Sequence, residues 1–506
     1  MERNTKKKSI SIILGYLNLI IQNGVVFFLT PIMLIVWDAS SFGLYRLLLS
    51  FMTYFMLIDA GVCNSIVRFI TEFKAKGDKE NEKKYVGFLY LFYTVAALVL
   101  FIIVIVLSKY IPNIYSNSMT ELEIKTIISV LPWITVYAGA SLFFNCFTAI
   151  MRAHNAHSAV QLINISKALV RFIVLWSVLS YGGTIMYVVA ADALLAVVVT
   201  LFVLLFVTYK MRITPNILGL NRKLLKQIFE FTSTMFINTI AFAMFWSLDS
   251  IILSLLTTTT LVGVYAVGST ITNLFQSLSI IISQVIVPDI MVLGHNSTDK
   301  KLLDDKMIQV GRLKFIWLLL PAIGFISFGR QFLDLWVGEG FEDAYIVVVI
   351  VLIPQLIALI QDVPSNIMYV RDKHKPMAWF SVVAAVFKLL LTIVLVLNFG
   401  IVGAAVGTAV AFTLVYIVFT NYYYCKVLDF DMFRLFKETI FNKTYIYILL
   451  LLIGLFMGQN LNSNWYMFFI NITFFSIVYI ALIWFQIMNR EEKKTILNLF
   501  KKRIRQ

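Results

Sequence analysis

Long apolar stretches separated by short polar breaks fill the chain from about residue 10 to residue 488. A helix needs about 20 apolar residues to cross the roughly 30 Å hydrocarbon core of a bilayer. Cutting the chain at its polar breaks predicts fourteen such helices, at about 10–37, 42–70, 85–108, 126–151, 158–180, 185–209, 227–256, 262–290, 307–328, 343–370, 377–397, 402–425, 444–459 and 465–488. The pattern therefore predicts an all-α polytopic membrane protein.

Composition supports this interpretation, because 60% of the 506 residues are hydrophobic and 15% are aromatic. Soluble domains contain roughly 45–50% apolar residues. The basic start resembles a signal peptide, but its apolar stretch runs on to about Trp37 with no small-residue cleavage site. We therefore expect an uncleaved first span.

Basic residues are distributed unequally between alternate loops. One set of loops, together with the two termini, holds 32 of the 42 Lys and Arg residues, and the other set holds only Lys109, Lys125 and Arg330. Because basic loops are retained in the cytoplasm, both termini are predicted to be cytoplasmic. The net charge of +15 then belongs mainly to the cytoplasmic rim, and we expect no nucleic-acid partner. Arg312 and Lys314 lie near that rim and are expected to snorkel to it.

A motif recurs in the two halves of the chain, since SSFGLYRLLLS at 40–50 resembles TLVGVYAVGST at 260–270. Further matches keep the same order at offsets of 217 to 222 residues, namely Pro132 with Pro354, Arg152 with Arg371, Lys167 with Lys388 and Gly183 with Gly400. We therefore expect two parallel six-helix repeats around a central cleft, followed by two additional helices. The corresponding boundaries are 1–209 for the N-terminal lobe, 210–226 for a cytoplasmic linker, 227–425 for the C-terminal lobe, 426–488 for the additional helices and 489–506 for a basic cytoplasmic tail.

Span five carries a polar stripe on an otherwise apolar helix, formed by Gln161, Asn164, Lys167 and Arg171. Lys167 lies near mid-membrane, where a charge costs about 2.5–3.5 kcal/mol. Lys388 takes the matching place in the second half. Like charges one helical turn apart repel each other, so the stripe predicts a site that an anion visits.

Polar residues on other spans extend the candidate site. Asn18 and Gln22 on span one are further candidates for substrate binding. Arg46 on span two is another, although it could instead snorkel to the outer surface. Four acids are candidates for coupling or for charge pairs, namely Asp59, Asp192, Asp249 and Asp362. The alternative stays open that such acids neutralise the basic residues in structural interhelical pairs.

Motifs of catalysis and cofactor binding are missing from the sequence. It contains no P-loop, Rossmann glycine pattern or nucleophile elbow. His154 and His157 lack a nearby third ligand, so we expect no metal site. The outer loops are short, and we expect no catalytic residues, no cofactor and no enzymatic activity.

Four segments resemble the lipid-linked oligosaccharide flippases of the multidrug, oligosaccharidyl-lipid and polysaccharide exporter superfamily. They are FGLYRLLLSFMTYFMLIDAGVCNSIVRFITEFKAKGD, SLDSIILSLLTTTTLVGVYAVGS, QVIVPDI and FLDLWVGEGFEDA. The resemblance implies alternating-access transport of an undecaprenyl-diphosphate-linked glycan across a bacterial inner membrane. Membrane lipids are the expected partners, and other polysaccharide-assembly proteins are further candidates. It implies that Lys167, Arg171 and Lys388 line a cationic cleft and that Asp249 is the acid of span seven.

Two alternatives remain at the level of sequence. A cation-coupled multidrug antiporter of the same superfamily would normally show twelve spans and an acid in span one, where this chain has Asn18 and Gln22. A membrane-embedded glycosyltransferase or polymerase belongs to a different class. The short outer loops and the internal repeat argue against it.

Overall fold

The computed structural model describes residues 2–59, 61–213, 215–216, 222–296, 299–371, 373, 375–459, 464–490 and 492–493. Part of the predicted linker and most of the predicted basic tail lie outside these residues. The described α-helices are α1 Glu2–Val36, α2 Ala39–Phe55, α3 Val62–Lys76, α4 Lys79–Tyr115, α5 Glu121–Ala153, α6 His157–Ser180, α7 Ile185–Leu205, α8 Arg222–Leu256, α9 Thr259–Asn296, α10 Lys300–Val337, α11 Glu342–Leu359, α12 Asp362–Val370, α13 Lys375–Ala411, α14 Thr420–Leu428, α15 Met432–Thr439, α16 Thr444–Gly458 and α17 Trp465–Leu482. Short 3₁₀ segments (Met56–Asp59, Phe441–Lys443) and π segments (Phe206–Lys210, Phe412–Phe419, Ile483–Ile487) extend or join them.

Thirteen helical segments of the described chain are long and apolar enough to cross a membrane. One of them, Trp379–Leu428, has 50 residues and covers two predicted spans. Gly400 interrupts it with φ +56° and ψ −136°, so α13 is two helices that meet at this glycine. A side chain would strain that left-handed conformation. The chain is therefore an all-α polytopic membrane protein, and the break accounts for the difference from fourteen predicted spans.

Large apolar side chains lie exposed along the spans. On α4, Leu98, Phe101 and Ile102 are each more than half exposed. Such continuous apolar surface is rare on soluble monomers. It is the surface that lipid tails would cover.

Span two differs from its prediction as one continuous helix. α2 ends at Phe55, a 3₁₀ turn covers Met56–Asp59, and α3 begins at Val62. Gly61 before α3 has φ +83°, and a Cβ on it would lie 2.7 Å from the Thr232 carbonyl oxygen of α8. Non-helical backbone at membrane depth is tolerated where protein covers it. The glycine is thus required by both its conformation and the close approach of α8.

The chain divides into two compact units. The first comprises Met1–Ala266 with Thr392–Gly400, and the second comprises Val267–Leu391 with Ile401–Gln506. In the first unit, α3, α4 and α5 enclose a core of fully buried side chains that includes Ile66, Tyr85 and Leu89. Other close helix pairs of this unit include α5 with α7 and α1 with α6.

In the second unit, α10 packs against α16 and α17. A Cβ on Gly458 of α16 would lie 2.3 Å from the Ser327 carbonyl oxygen of α10, so the two backbones touch at this glycine. Phe328 of α10 packs edge-on against Phe475 of α17, with ring centroids 5.8 Å apart. The two additional helices are therefore packed directly onto a helix of the second unit.

Two basic residues of α10 differ from their expected snorkelling. Arg312 is 9% exposed and Lys314 is 0% exposed. Arg312 forms an ion pair with Glu492 at 2.8 Å, and Lys314 donates a hydrogen bond to the Ser283 hydroxyl at 2.9 Å. The expectation was wrong because helices that pack on α10 bring partners to these charges, so neither side chain needs to reach water.

Candidate functional site

The polar stripe of span five lies on α6, which packs in the first unit against α1, α5 and α7. Gln161, Asn164, Lys167 and Arg171 are all half-buried. Lys167 is about 15 Å from the start of α6 at 1.5 Å per residue. The stripe is therefore turned toward neighbouring helices near the middle of a span.

Arg171 forms a two-pronged ion pair with Asp192 of α7. Its Nε donates to Asp192 Oδ1 at 2.7 Å, and its Nη2 donates to Oδ2 at 2.8 Å. The same Nη2 also donates to the Tyr45 hydroxyl of α2 at 3.1 Å. The alternative of a structural pair thus describes Arg171, because Asp192 compensates its charge from the next helix.

The Tyr45 ring that receives Arg171 is itself held in place. It lies 5.6 Å from the Trp37 ring, centroid to centroid. The Trp37 indole donates to the Gly183 carbonyl oxygen at 2.8 Å. Arg171, Tyr45 and Trp37 therefore link α6 and α7 to α2. They also connect the turn between α1 and α2 to the turn between α6 and α7.

Lys167 has no such compensation. Its ammonium lies 4.5 Å from the ring centroid of Phe144 and 5.9 Å from that of Tyr137, both on α5. Within the described residues it has neither a carboxylate nor a hydrogen-bond acceptor. It interacts electrostatically with Arg171 and Asp192, which already form a pair. One positive charge therefore remains at this site.

The aromatic rings compensate Lys167 only in part. A cation–π contact contributes about 0.5–2 kcal/mol, whereas a charge at the bilayer centre costs about 2.5–3.5 kcal/mol. The ammonium also carries three donors that rings do not satisfy as an oxygen would. An anion bound beside Lys167 would supply both the charge and the acceptors.

α1 contacts the α6 stripe at Gly15, whereas its polar residues Asn18 and Gln22 bond to each other. A Cβ on Gly15 would lie 3.8 Å from the Gln161 amide nitrogen, so the two helices are in contact there. The Gln161 amide oxygen is buried and lacks a hydrogen-bond partner among the described residues. Asn18 and Gln22 bond to each other, with Gln22 Nε2 donating to Asn18 Oδ1 at 3.0 Å.

Asp59 lies apart from the α6 stripe, at the break between α2 and α3. Its carboxylate accepts hydrogen bonds from the Tyr93 hydroxyl, from Cys63 Sγ at 3.3 Å and from Asn145 Nδ2 at 3.2 Å. In the described chain no basic group lies within ion-pair distance of it, although Arg152 interacts with it electrostatically. Tyr93, Cys63 and Asn145 were not predicted from the sequence, in which only Asn145, as an amide in an apolar span, offered a signal.

The remaining predicted site residues belong to other helices. Asp249 is buried and accepts a hydrogen bond from the Tyr265 hydroxyl at 2.5 Å. Arg46 is half-buried on α2. In the second unit, Lys388 of α13 is only 2% exposed. The Asp362 side chain lies outside the described residues.

Three interhelical turns of the first unit meet at one end of their helices. Ser40 of α2 donates to Glu123 Oε1 of α5 at 2.7 Å and lies 2.8 Å from the hydroxyl of Thr259 of α9. Thr259 also donates to Glu123. α2 and α9 touch here. A Cβ on Gly43 would lie 1.9 Å from the Thr259 carbonyl oxygen, and a Cβ on Gly263 would lie 2.3 Å from the Ala39 carbonyl oxygen. We call Ser40, Gly43, Glu123, Thr259 and Gly263 the turn cluster.

Comparison with protein families gives a match to "Polysaccharide biosynthesis protein" over residues 6–292. This match covers more than half of the chain. The chain belongs to this family. Residues 6–292 include the whole α6 stripe, Asp192 and the turn cluster, whereas Asp362 and Lys388 lie beyond them.

A curated relative is the probable low-salt glycan biosynthesis flippase Agl15 of Haloferax volcanii, 21% identical over 198 residues. The match covers 39% of this chain and 42% of that relative, so less than half of the relative's length is matched.

Solved structures of a flippase and of a multidrug transporter share the fold of this family member. The lipid II flippase MurJ in an inward closed conformation superposes with a TM-score of 0.69 at 12% identity, covering 96% of this chain and 99% of that one. An inward-facing multidrug resistance MATE transporter of the MOP superfamily gives a TM-score of 0.65 at 14% identity, covering 84% and 99%. At these identities the likeness establishes the fold.

Proposed function

We propose that this protein translocates an undecaprenyl-diphosphate-linked oligosaccharide from the cytoplasmic to the outer leaflet of a bacterial inner membrane. Its membership in the polysaccharide biosynthesis family supports a role in glycan assembly. Relatives named as flippases, one of them by sequence and one by fold, support lipid-linked cargo. In this proposal membrane lipids are its partners, other assembly proteins are candidate partners, and it acts as a transporter and not as an enzyme.

The uncompensated charge of Lys167 among the described residues is the observation that carries this proposal. A diphosphate entering hydrocarbon loses water that neither lipid nor aromatic rings replace. The Lys167 ammonium, held over the Phe144 ring and without a carboxylate among the described residues, supplies a charge and hydrogen-bond donors for such a group. Hydrogen bonds between charged groups are roughly twice as strong as those between neutral groups.

Neighbouring groups would complete the binding site. The Gln161 amide oxygen, which is buried and has no partner in the described chain, is an acceptor suited to a sugar hydroxyl. Asn164 lies between it and Lys167 on the same stripe. Arg171 would act chiefly through its ion pair with Asp192 and its hydrogen bond to the Tyr45 hydroxyl, and Lys388 is a further candidate ligand.

Alternating access supplies the proposed movement. With both termini in the cytoplasm, the turn cluster falls on the outer side of the membrane, where it would keep the outer face of the protein closed. Its hydrogen bonds and glycine contacts would have to break before substrate could leave outward. Asp59 and Asp249 are candidate acids for coupling that step to an energy source.

The decisive experiment removes this gene and restores it in four forms: wild type, Lys167→Gln, Lys167→Arg and Leu169→Ala. Leu169 lies on the same helix and is 46% exposed, so its variant controls for any substitution in α6. We expect lipid-linked oligosaccharide to accumulate on the cytoplasmic leaflet of the deletion strain and in the Lys167→Gln strain. Wild type and Leu169→Ala should clear it, and Lys167→Arg should retain part of the activity because it keeps the charge.

The expected loss of translocation activity follows from the loss of the hydrogen bond between Lys167 and the diphosphate. A hydrogen bond to a charged group contributes about 1.5–3 kcal/mol, so translocation by Lys167→Gln should fall about 10-fold or more at equal abundance in the membrane. Full activity of that variant would refute the role of Lys167. Absence of lipid accumulation in the deletion strain, together with new sensitivity to cationic drugs, would replace the flippase proposal with the multidrug antiporter.

A further inference from the structure

A polar cavity of about 380 Å³ lies in the second unit. The first turns of α10 and the short helix α15 form two of its walls, through Asp305, Lys306 and Arg434. The segment after α17 forms the third, through Arg490 and Glu492. Its volume is within the roughly 300–1,000 Å³ of small-molecule sites. The α6 stripe has no part in it.

Two arginines, Arg312 and Arg434, form ion pairs with all three carboxylates that line the cavity. Arg312 Nε donates to Glu492 Oε1 at 2.8 Å, and its terminal nitrogens donate to the carbonyl oxygens of Glu438 and Ile487, each at 3.0 Å. Arg434 donates to Glu438 Oε1 at 2.7 Å and forms an ion pair with Asp305 at 3.0 Å. These contacts fix the walls and leave none of the lining carboxylates uncommitted.

Lys306 and Arg490 line the same cavity, and neither has an acidic partner among the described residues. The Lys306 ammonium donates to the neutral amide oxygen of Gln309 at 2.8 Å. For Arg490, the described chain offers no carboxylate within ion-pair distance. The lining therefore has four cations against three carboxylates, and these two side chains present the excess positive charge to whatever enters.

The cavity lies where three membrane spans end. The spans Lys300–Val337 and Met432–Gly458 begin beside it, and the span Trp465–Ile487 ends beside it. These three span ends therefore lie at the same membrane face, where lipid headgroups would come close to the cavity. Basic pockets between the ends of membrane helices are suited to anionic headgroups.

We propose that this cavity binds the phosphate of an anionic membrane lipid, with Lys306 and Arg490 as its ligands. Phosphate oxygens accept from the guanidinium fork and from the ammonium, while Arg312 and Arg434 hold the walls. The bound lipid would join α10 to α15 and to the end of α17. This site is independent of the proposed transport function, and its occupancy can be measured without any glycan.

The test compares binding of phosphatidylglycerol to three purified full-length proteins by native mass spectrometry and by thermal unfolding in detergent. They are wild type, Lys306→Ala/Arg490→Ala, and a control, Lys301→Ala/Lys437→Ala. The control removes two charges close by in the chain, from exposed residues outside the lining. The same proteins are also titrated with phosphatidylcholine and with inorganic phosphate.

We expect one molecule of phosphatidylglycerol to bind most tightly to wild type and the control, and about 10- to 30-fold more weakly to Lys306→Ala/Arg490→Ala, since each basic group near a headgroup contributes a few-fold in affinity. Phosphatidylcholine should not compete. Equal weakening in the control would overturn the proposal in favour of diffuse surface charge. Protection by inorganic phosphate alone, equal to that by lipid, would also overturn it and indicate a site for free phosphate.

Discussion

The two-pronged ion pair between Arg171 and Asp192 is the best-defined charged contact of the candidate site. Both oxygens of Asp192 accept from Arg171, and the Asp192 side chain is 7% exposed while that of Arg171 is 24% exposed. Removing one partner of such a pair leaves the other charge without compensation. Removing both leaves no charge to compensate, and the loss of stability is then smaller.

We therefore predict that Asp192→Asn destabilises the purified protein by about 3 kcal/mol, and that Arg171→Gln/Asp192→Asn recovers more than half of this loss. The measurement is thermal unfolding in detergent, accompanied by abundance in the membrane. Asn keeps the volume of Asp, so packing changes little. If the double variant is less stable than the single variant, the ion pair does not account for the burial of these groups.

The stripe on α6 could be predicted from the sequence, but its partners could not. A helical period places Gln161, Lys167 and Arg171 on one face whatever the neighbours are. It does not say that Asp192 of the next helix reaches Arg171 and leaves Lys167 with Phe144. Those contacts depend on the rotation and depth of α5 and α7, which hydropathy does not determine.

At the scale of the helices, the break in span two is where local sequence was least informative. Residues 42–70 are mostly apolar, which favours one helix. The structure instead ends α2 before Asp59, where three donors surround the carboxylate and Gly61 takes a positive φ against α8. Gly61 directly after Asp59 and Ala60 was the available signal, but its meaning depends on the approach of another helix.

The turn cluster gives a prediction at this scale. Ser40 and Thr259 hydroxyls are 2.8 Å apart, so cysteines at these positions would be close enough for a disulfide. We predict that Ser40→Cys/Thr259→Cys cross-links on mild oxidation and stops translocation, and that a reductant restores it. Transport by the oxidised double variant at the wild-type rate would show that these turns need not separate.

Single variants Ser40→Cys and Thr259→Cys are the controls for this experiment. Each retains the native Cys63, Cys146 and Cys425, so any effect of oxidising those thiols appears in the controls as well. Neither should lose activity on oxidation. A glycine substitution would be less informative, because a Cβ at Gly43 would clash with backbone at 1.9 Å and disturb folding itself.

For the whole molecule, hydropathy was sufficient to predict an all-α membrane protein and nearly all of its spans. Apolar length is a property of each segment alone, whereas burial depends on what packs around it. Arg312 illustrates the difference, since its ion-pair partner Glu492 is 180 residues away and is brought near by α16 and α17. The additional helices thus decide the environment of a charge that the sequence predicted to reach the surface.

Orientation is the remaining property of the whole molecule that charge alone predicts. With 32 basic residues in one set of loops and termini and three in the other, reversing the protein would place most of its Lys and Arg outside, against their retention in the cytoplasm. We predict that alkaline phosphatase fused after Glu339, in the loop between α10 and α11, is active, and that the same enzyme fused after Arg212 is inactive. Fluorescent protein fusions, which fold in the cytoplasm, should give the reverse pattern at equal expression. Opposite results at both positions would invert the topology and place the turn cluster on the cytoplasmic side. Export would then begin with the opening of the turn cluster instead of ending with it.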